Sequence, residues 1–365
     1  MIKIIHLDTG EVLRGGQQQL LMLARGLAAR GHQQLIVTLD GTALEARARQ
    51  EGFRMFALPR HDPAGAHGTF QLRQLLLAEP FQVLHAHDGK GQTISWLASL
   101  GLNLKRVASR RVTFAPPRRI DTRLKYGRAC DAVIAVSGFI KRLLVDAGVP
   151  ESQIEIIPDG VEMPDDLPDA LARARVRGQW QIGAEDFASG HLGAMTHEKG
   201  QAIALRAATR LQEILPRARL VLATGESRSS LTVSQPNVRV LPYQANLSDF
   251  FAALDLYIMP SLAEGLGSSA LVAMAYGIPV VASRVGGLPE LIEEGETGWL
   301  IPPGSPQALA DAMAHAASDH ARLCEMGQKA RRRAKQFSST LMVGRTEALY
   351  EKLVWGKGLK SKVEG

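Results

Sequence analysis

At 365 residues, 45% of them hydrophobic, the chain is too long for one ordinary core and long enough to bury a core in each of two domains. Its two cysteines, Cys130 and Cys324, lie far apart with no CxxC spacing, which argues against a disulfide framework or a cysteine metal site and points to a reducing cytosol. The formal charge of +7 favours acidic partners (nucleic acid, anionic lipid or a phosphorylated substrate) without choosing among them.

Met1 to Asp8 is a short apolar run ending in an acid, without the long apolar segment of a signal peptide. No uninterrupted apolar run reaches the roughly 18 residues needed to span a bilayer, so any membrane contact is expected to be peripheral. Ile2 to Leu7 reads as a buried strand, followed by a loop from Asp8 to Gly16, a helix from about Gln17 to Arg30 stopped by Gly31, and a strand from Gln34 to Leu39. In that loop Gly10, Gly15 and Gly16 lack the GxGxxG spacing, which counts against a nicotinamide cofactor. A helix near Leu44 to Gln50, a strand Arg54 to Leu58, a helix Phe70 to Leu77 and a strand Gln82 to His87 follow. Strands at Arg106 to Ser109, Ala132 to Val136 and Ile154 to Ile157, with a helix Gly138 to Asp146, extend the alternation. Pro158 to Pro168 is rich in proline and acid, and reads as a hinge.

A second alternating series then begins. Strands are expected at Ala188 to Leu192, Arg219 to Ala223, Val238 to Leu241, Leu256 to Met259, Pro279 to Ala282 and Trp299 to Ile301. Helices are expected at Gln201 to Leu215, Leu247 to Leu254, Ser269 to Tyr276, Pro289 to Glu293, Pro306 to Ala317, Ala321 to Lys335 and about Thr340 to Val354. The reading is an α/β protein of two Rossmann-like, doubly wound domains facing each other across a cleft. The boundaries are 1–165, 166–338, and a carboxyl-terminal helix and basic tail, 339–365, expected to return to the first domain.

The stretch Ile258 to Met274 is the end of a buried strand, a glycine-rich loop carrying Glu264, and a helix start at Ser268 and Ser269. Such a helix end offers unpaired amides and a positive dipole to an anion. A carboxylate beside it would repel phosphate unless it met something neutral such as sugar hydroxyls, so the combination suggests a phosphorylated sugar.

Six motifs in order carry a resemblance to a known family. Pro260 to Met274 is similar to the PSxxEGFGxxxxEAMA signature of retaining glycosyltransferase family 4, of GT-B fold, and Gly286 to Glu290 with Gly295 to Gly298 resembles the loop after it. Gly193 to Gly200 resembles GRLxxxKG, Ala135 to Ser137 resembles AVS, Ile157 to Val161 resembles IPNGV, and Gly15-Gly16 fits the amino-terminal GG loop. The resemblance implies that Lys199 neutralises the leaving diphosphate, that Glu264 contacts hydroxyls of the transferred sugar, and that His87 sits beside that sugar, with His85 left structural. It also implies donor-binding roles for Gly15, Gly16, Gly193, Gly265, Leu266, Gly267, Ser268 and Ser269, with Thr224, Gly225 and Tyr243 on loops that meet the nucleotide base. The expected reaction moves a sugar from a nucleotide-sugar donor to a glycan or lipid-linked acceptor with retention, in lipopolysaccharide or capsule assembly, with no cofactor and no metal.

Two positions depart from the family pattern. Val272 stands where the ribose-binding glutamate is expected, and Ala194 where an arginine partners the phosphate lysine. Losing one charge-assisted contact is worth roughly 1.5 to 3 kcal/mol, or about 10- to 100-fold in affinity. Between Lys105 and Tyr126 the chain is strongly basic, and Arg110, Arg111, Arg118 and Arg119 are expected to draw an acceptor phosphate or an anionic membrane surface, on the cytoplasmic side. The stretch lacks interleaved aromatics and any reading module, so nucleic acid is not an expected partner. Two other readings compete: a nucleotide-sugar epimerase or hydrolase of the same fold, and a noncatalytic paralogue that binds sugars.

Overall fold

The computed structural model describes residues 1–62, 65–113, 123–224, 235–242 and 246–356. Contacts divide the chain into two compact units, Met1–Gly160 with Ser339–Gly365, and Val161–Ser338.

The first unit holds strands β1 (Lys3–Leu7), β2 (Gln33–Leu39), β3 (Met55–Leu58), β4 (Val83–Ala86), β5 (Lys105–Arg110), β6 (Ala132–Ala135) and β7 (Ile154–Ile156). They form one parallel sheet in the order β3-β2-β1-β4-β5-β6-β7. Its helices are α1 (Gly15–Ala29), α2 (Ala43–Gln50), α3 (Ala66–Ala78), α4 (Gly89–Ala98) and α5 (Gly138–Asp146). A last helix, here α13 (Ser339–Trp355), comes from the far end of the chain. Alternation along β1 shows how the layers form: Ile2 and Ile4 pack with Leu23 and Leu27 of α1 and with Met342, Val343 and Tyr350 of α13. Ile5 and Leu7 pack on the opposite face with Leu72 and Leu76 of α3 and Ile94 and Ala98 of α4. Both faces are covered, so the strands read as continuous apolar runs. Glu347 of α13 pairs with Arg30 and His32, tying the carboxyl-terminal helix to this unit.

The second unit begins with α6 (Ala170–Gln179) and holds strands β8 (Phe187–Leu192), β9 (Ala218–Ala223), β10 (Val238–Leu241), β11 (Leu256–Met259), β12 (Val280–Ser283) and β13 (Gly298–Ile301). All are parallel, in the order β10-β9-β8-β11-β12-β13. Around them lie α7 (Gln201–Ile214), α8 (Leu247–Ala252), α9 (Ser268–Ala275), α10 (Leu288–Leu291), α11 (Pro306–Ser318) and α12 (His320–Ala334). Tyr257 and Met259 face a core built with α9 and α12, whereas Leu256 and Ile258 face one built with α7 and α11.

Several elements depart from the sequence expectation, among them α3, which starts at Ala66 rather than Phe70. Helix α4 stands where none is expected, capped by Asp88, whose carboxylate accepts from the amides of Lys90 and Gly91. Helix α6 is likewise additional, capped by the Asp169 side chain on the Ala172 amide. Helix α1 starts at Gly15 rather than Gln17, because the Gln17 side chain reaches back to the Arg14 amide at 3.0 Å and closes the first turn. Gly16 therefore lies within a helix, not on a loop. Among the described residues no helix is long and apolar enough to cross a membrane.

Candidate active site

Each sheet has a point where successive strands depart in opposite directions: β1 beside β4 in the first unit, and β8 beside β11 in the second. Side chains following these strands gather at the carboxyl edge, where open α/β sheets bind ligands.

In the second unit β8 leads to Gly193 and then to a short 3₁₀ turn, His197–Lys199. Gly200 follows with φ +71°, and a Cβ there would lie 2.0 Å from the Pro260 carbonyl oxygen, so only glycine lets the turn press against the end of β11. The close approach brings Lys199 to Glu264: its Nζ donates to Glu264 Oε1 at 2.5 Å, and Ser261 Oγ donates to the same oxygen at 3.1 Å. Glu264 is only 8% exposed, whereas the lysine side chain keeps 30% of its surface open. Behind the glutamate, Gly286 has φ +58° and a Cβ there would fall 1.7 Å from the Glu264 carbonyl oxygen, so the glycine loop after β12 seats the acid from below.

Gly265, Leu266 and Gly267 are buried, and Ser268 and Ser269 open α9 half-buried, with the helix's first amides beside the ion pair in sequence. Tyr257 Oη is held at 3.1 Å by both the amide and the carbonyl of Leu192, which locks β11 to the end of β8. Burial raises its phenol pKa. Thr224 caps β9, buried, its amide donating to the Leu241 carbonyl. His191 is fully buried, which pushes its imidazole pKa down to about 4. Its Nδ1 meets the Ile258 carbonyl at 3.0 Å and its Nε2 meets Gln201 Nε2 at 3.3 Å. Val272 is half-buried against the core, and Ala194 contributes its carbonyl to Gln201. Helix α9 thus carries no carboxylate at all.

The first unit offers a different set. His6 and His85 are paired in register on β1 and β4, and His87 follows β4. His6 occupies a strand position whose neighbours on that face, Ile2 and Ile4, are apolar core residues. Its Nδ1 lies 3.1 Å from His87 Nε2 and its Nε2 lies 3.0 Å from Gln34 Oε1. His85 meets Tyr350 Oη at 2.6 Å and Ser109 Oγ at 2.8 Å, and its ring lies tilted by 32° against that of His87 with centroids 4.0 Å apart. Burial is the largest cause lowering all three pKa values, that of His6 to about 4 and those of His85 and His87 well below the usual range. All three are neutral at pH 7. One of the two nitrogens of each ring lies within 4.8 Å of its counterparts in the other two, close enough to surround an ion. Five of the six, however, already hold hydrogen bonds within the unit; only His87 Nδ1, buried, has no partner among the described residues.

Asp8 follows β1 and accepts from the Gly10 amide and from Gln17 Nε2, both at 2.8 Å; burial, and then Asp88, raise its pKa. Arg111 Nε donates to Asp159 Oδ1 at 2.9 Å, while its NH1 is buried without a partner among the described residues. Arg110 ends β5 and lies over the Tyr126 ring at 5.8 Å. Gly15 and Gly16 occupy the first turn of α1, and a Cβ at Gly16 would meet nothing within 4 Å. Gly225, Tyr243, Arg118 and Arg119 lie outside the described residues. Sequence reasoning passed over His6, Gln34, Ser261 and Tyr350. The one available signal was a histidine at an apolar position of β1, in register with the His-Ala-His run of β4.

Comparison with known proteins adds the class. Residues 13–163 match the family model described as Glycosyltransferase Family 4, and residues 187–319 the one described as Glycosyl transferases group 1. A GDP-mannose-dependent α-(1-6)-phosphatidylinositol monomannoside mannosyltransferase of Mycolicibacterium smegmatis is 29% identical, over 63% of this chain and 67% of that protein. A D-inositol 3-phosphate glycosyltransferase of Kineococcus radiotolerans is 26% identical, over 88% of this chain and 83% of its own. Among solved structures, a Rickettsia africae glycosyltransferase superposes with TM-score 0.86 at 18% identity, covering 98% of this chain and 99% of that one. Anabaena HepE in complex with UDP-glucose does so with TM-score 0.84 at 23% identity, covering 96% and 99%. The chain is a glycosyltransferase with the GT-B fold. Its first unit is of the family 4 kind.

Proposed function

We propose that the protein transfers a sugar from a nucleoside diphosphate sugar to a hydroxyl of an anionic glycolipid or phosphorylated glycan, with retention at the anomeric carbon. The observation that carries this reading is the Lys199–Glu264 pair at the carboxyl edge of β8 and β11, next to the start of α9. An incoming diphosphate competes for the lysine, which offsets the charge that develops as the sugar–phosphate bond breaks. Glu264, released from the lysine but still held by Ser261, is then free to accept from sugar hydroxyls. Ser268 and Ser269 would receive the diphosphate on the first amides of α9, with Gly193 and Gly265 to Gly267 leaving room for the sugar.

Retention follows if a phosphate oxygen of the leaving group takes the acceptor proton. The neutral histidines of the first unit favour this route, because burial leaves each of them a weak base. The names of two relatives support the donor and acceptor classes: one is GDP-mannose dependent and acts on a phosphatidylinositol mannoside, the other on D-inositol 3-phosphate. HepE was solved with UDP and with UDP-glucose, so the base of the donor is left open between uridine and guanosine. Arg111, whose buried NH1 has no partner among the described residues, is the cation we assign to the acceptor's phosphate. Assembly of a surface glycan at the cytoplasmic face of a membrane suits such an acceptor and the net positive charge. A panel of UDP- and GDP-sugars tested by thermal shift checks the donor: one of them is expected to raise Tm, since a ligand at 100 times its Kd adds about 2.7 kcal/mol. No shift with any of them would remove this reading.

A further inference from the structure

The histidines of the first unit are wired in one direction, and the wiring starts at a backbone carbonyl. Gln34 Nε2 donates to the Ala24 carbonyl at 2.8 Å. A carbonyl can only accept, so the atom facing it must be the amide nitrogen, and the oxygen of Gln34 must face His6. His6 Nε2, 3.0 Å from that oxygen, therefore carries the proton. Because His6 is fully buried and neutral, its Nδ1 is a bare acceptor. His87 Nε2, 3.1 Å away, must in turn donate to it, and neutral His87 is left with no proton on Nδ1.

His85 does not reverse this order. Its two partners, Tyr350 and Ser109, are hydroxyls that can each donate or accept, so they impose nothing on the neighbouring ring. The chain of bonds ends at a buried lone pair that no described residue satisfies. An unpaired buried acceptor is costly, and the cost is relieved when a group bearing a proton arrives. A hydroxyl does so; a phosphate oxygen without a proton is repelled.

We propose that Gln34 and His6 are positioning residues that fix His87 in its Nε2–H tautomer, presenting Nδ1 as a hydrogen-bond acceptor for a hydroxyl of the substrate. The substrate half of this inference rests on the glycosyl-transfer reading; the tautomer half does not. Nitrogen-15 NMR of the imidazole rings in the full chain tests the wiring directly, with His87 assigned by its loss in His87→Asn. His87 is expected to show an unprotonated Nδ1 and a protonated Nε2. A proton on Nδ1 in the free wild-type protein overturns the proposal. His6→Phe, which removes the acceptor, is expected to abolish the single-tautomer pattern, and His6→Asn, whose amide oxygen can accept from the position of Nδ1, to restore it; a pattern unmoved by His6→Phe also overturns it.

The role at the substrate is read from release of nucleoside diphosphate from GDP-mannose and UDP-glucose. Asparagine places an oxygen where Nδ1 stood, so His87→Asn is expected to retain kcat/KM within about 5-fold, while His87→Leu loses about 10- to 100-fold. Equal losses in the two variants would refute the acceptor role. The expected spectrum in a chain that releases neither nucleotide would leave the wiring standing and count against the glycosyl-transfer reading instead.

Discussion

The two units place opposite chemistry at equivalent points of the same topology. At the edge of β8 and β11 the side chains are charged: Lys199 against Glu264, with a histidine behind them, His191, whose two nitrogens are both engaged. At the edge of β1 and β4 the histidines are neutral, and among the described residues their hydrogen bonding stops one partner short at His87 Nδ1. A parallel sheet fixes where a ligand is met but not by what. The second unit suits a group that brings negative charge, and the first a group that brings a proton to share.

The sharpest way to break this contrast is to discharge the second unit. Lys199→Ala is expected to lower kcat for sugar transfer by about 10²- to 10³-fold, the usual size for losing one group that meets developing charge. The Glu264 carboxylate is only 9% exposed and would be left with Ser261 alone, so the folded state is also expected to melt several degrees lower, and kcat is read at a temperature where circular dichroism shows the variant folded. Normal turnover would show that the lysine does not meet the leaving group. A double cycle with Glu264→Gln measures how much of the effect the two share.

Acid sharpens the contrast from the other side. A histidine whose pKa is lower in the folded state than in the unfolded one adds stability in full above the unfolded value near 6.5. That stability is lost as the pH falls, because the unfolded chain takes up protons first. For His191 the span from 6.5 to about 4 is worth about 3 kcal/mol. The first unit has three such histidines, lowered in the same direction. Hydrogen exchange resolved by residue, compared at pH 7.5 and pH 5, is therefore expected to show protection falling further in β1 and β4 than in β8 and β11. An equal loss would mean that the buried cluster is not what distinguishes them. The smallest effect is expected at Arg284, whose pair with Glu294 is about half exposed on both sides. Arg284→Ala should change unfolding free energy by less than about 0.5 kcal/mol in denaturant titrations, and serves as the baseline for the other two.

The fold was legible because its strands are buried on both faces. Ile2 to Leu7 or Leu256 to Met259 can be little else when each lies between polar turns and amphipathic stretches. Helix α4 was missed because Gly-Lys-Gly-Gln-Thr reads as a loop; its only marker is Asp88 as a cap. Helix α6 lies between the stretch read as a hinge, which ends at Pro168, and the first strand of the second series, where no element is expected, although Arg177 there is buried and anchored on Asp255 and on backbone carbonyls. Within the site, Lys199 and Glu264 could each be named from a motif, but not their pairing, since 65 positions separate them and only the approach at Gly200 brings them together. The role of Gln34 was invisible, because a glutamine on β2 is informative only once the strand order puts β2 next to β1 and the carbonyl of Ala24 fixes which way its amide turns.

Helix α13 belongs to the first unit yet is encoded after the second. During synthesis the sheet of the first unit leaves the ribosome early, with His85 still lacking Tyr350 and His32 still lacking Glu347. The whole second unit emerges and can fold in the interval. The first unit is completed last, and a released chain truncated at residue 338 would carry the whole second unit with an unfinished first.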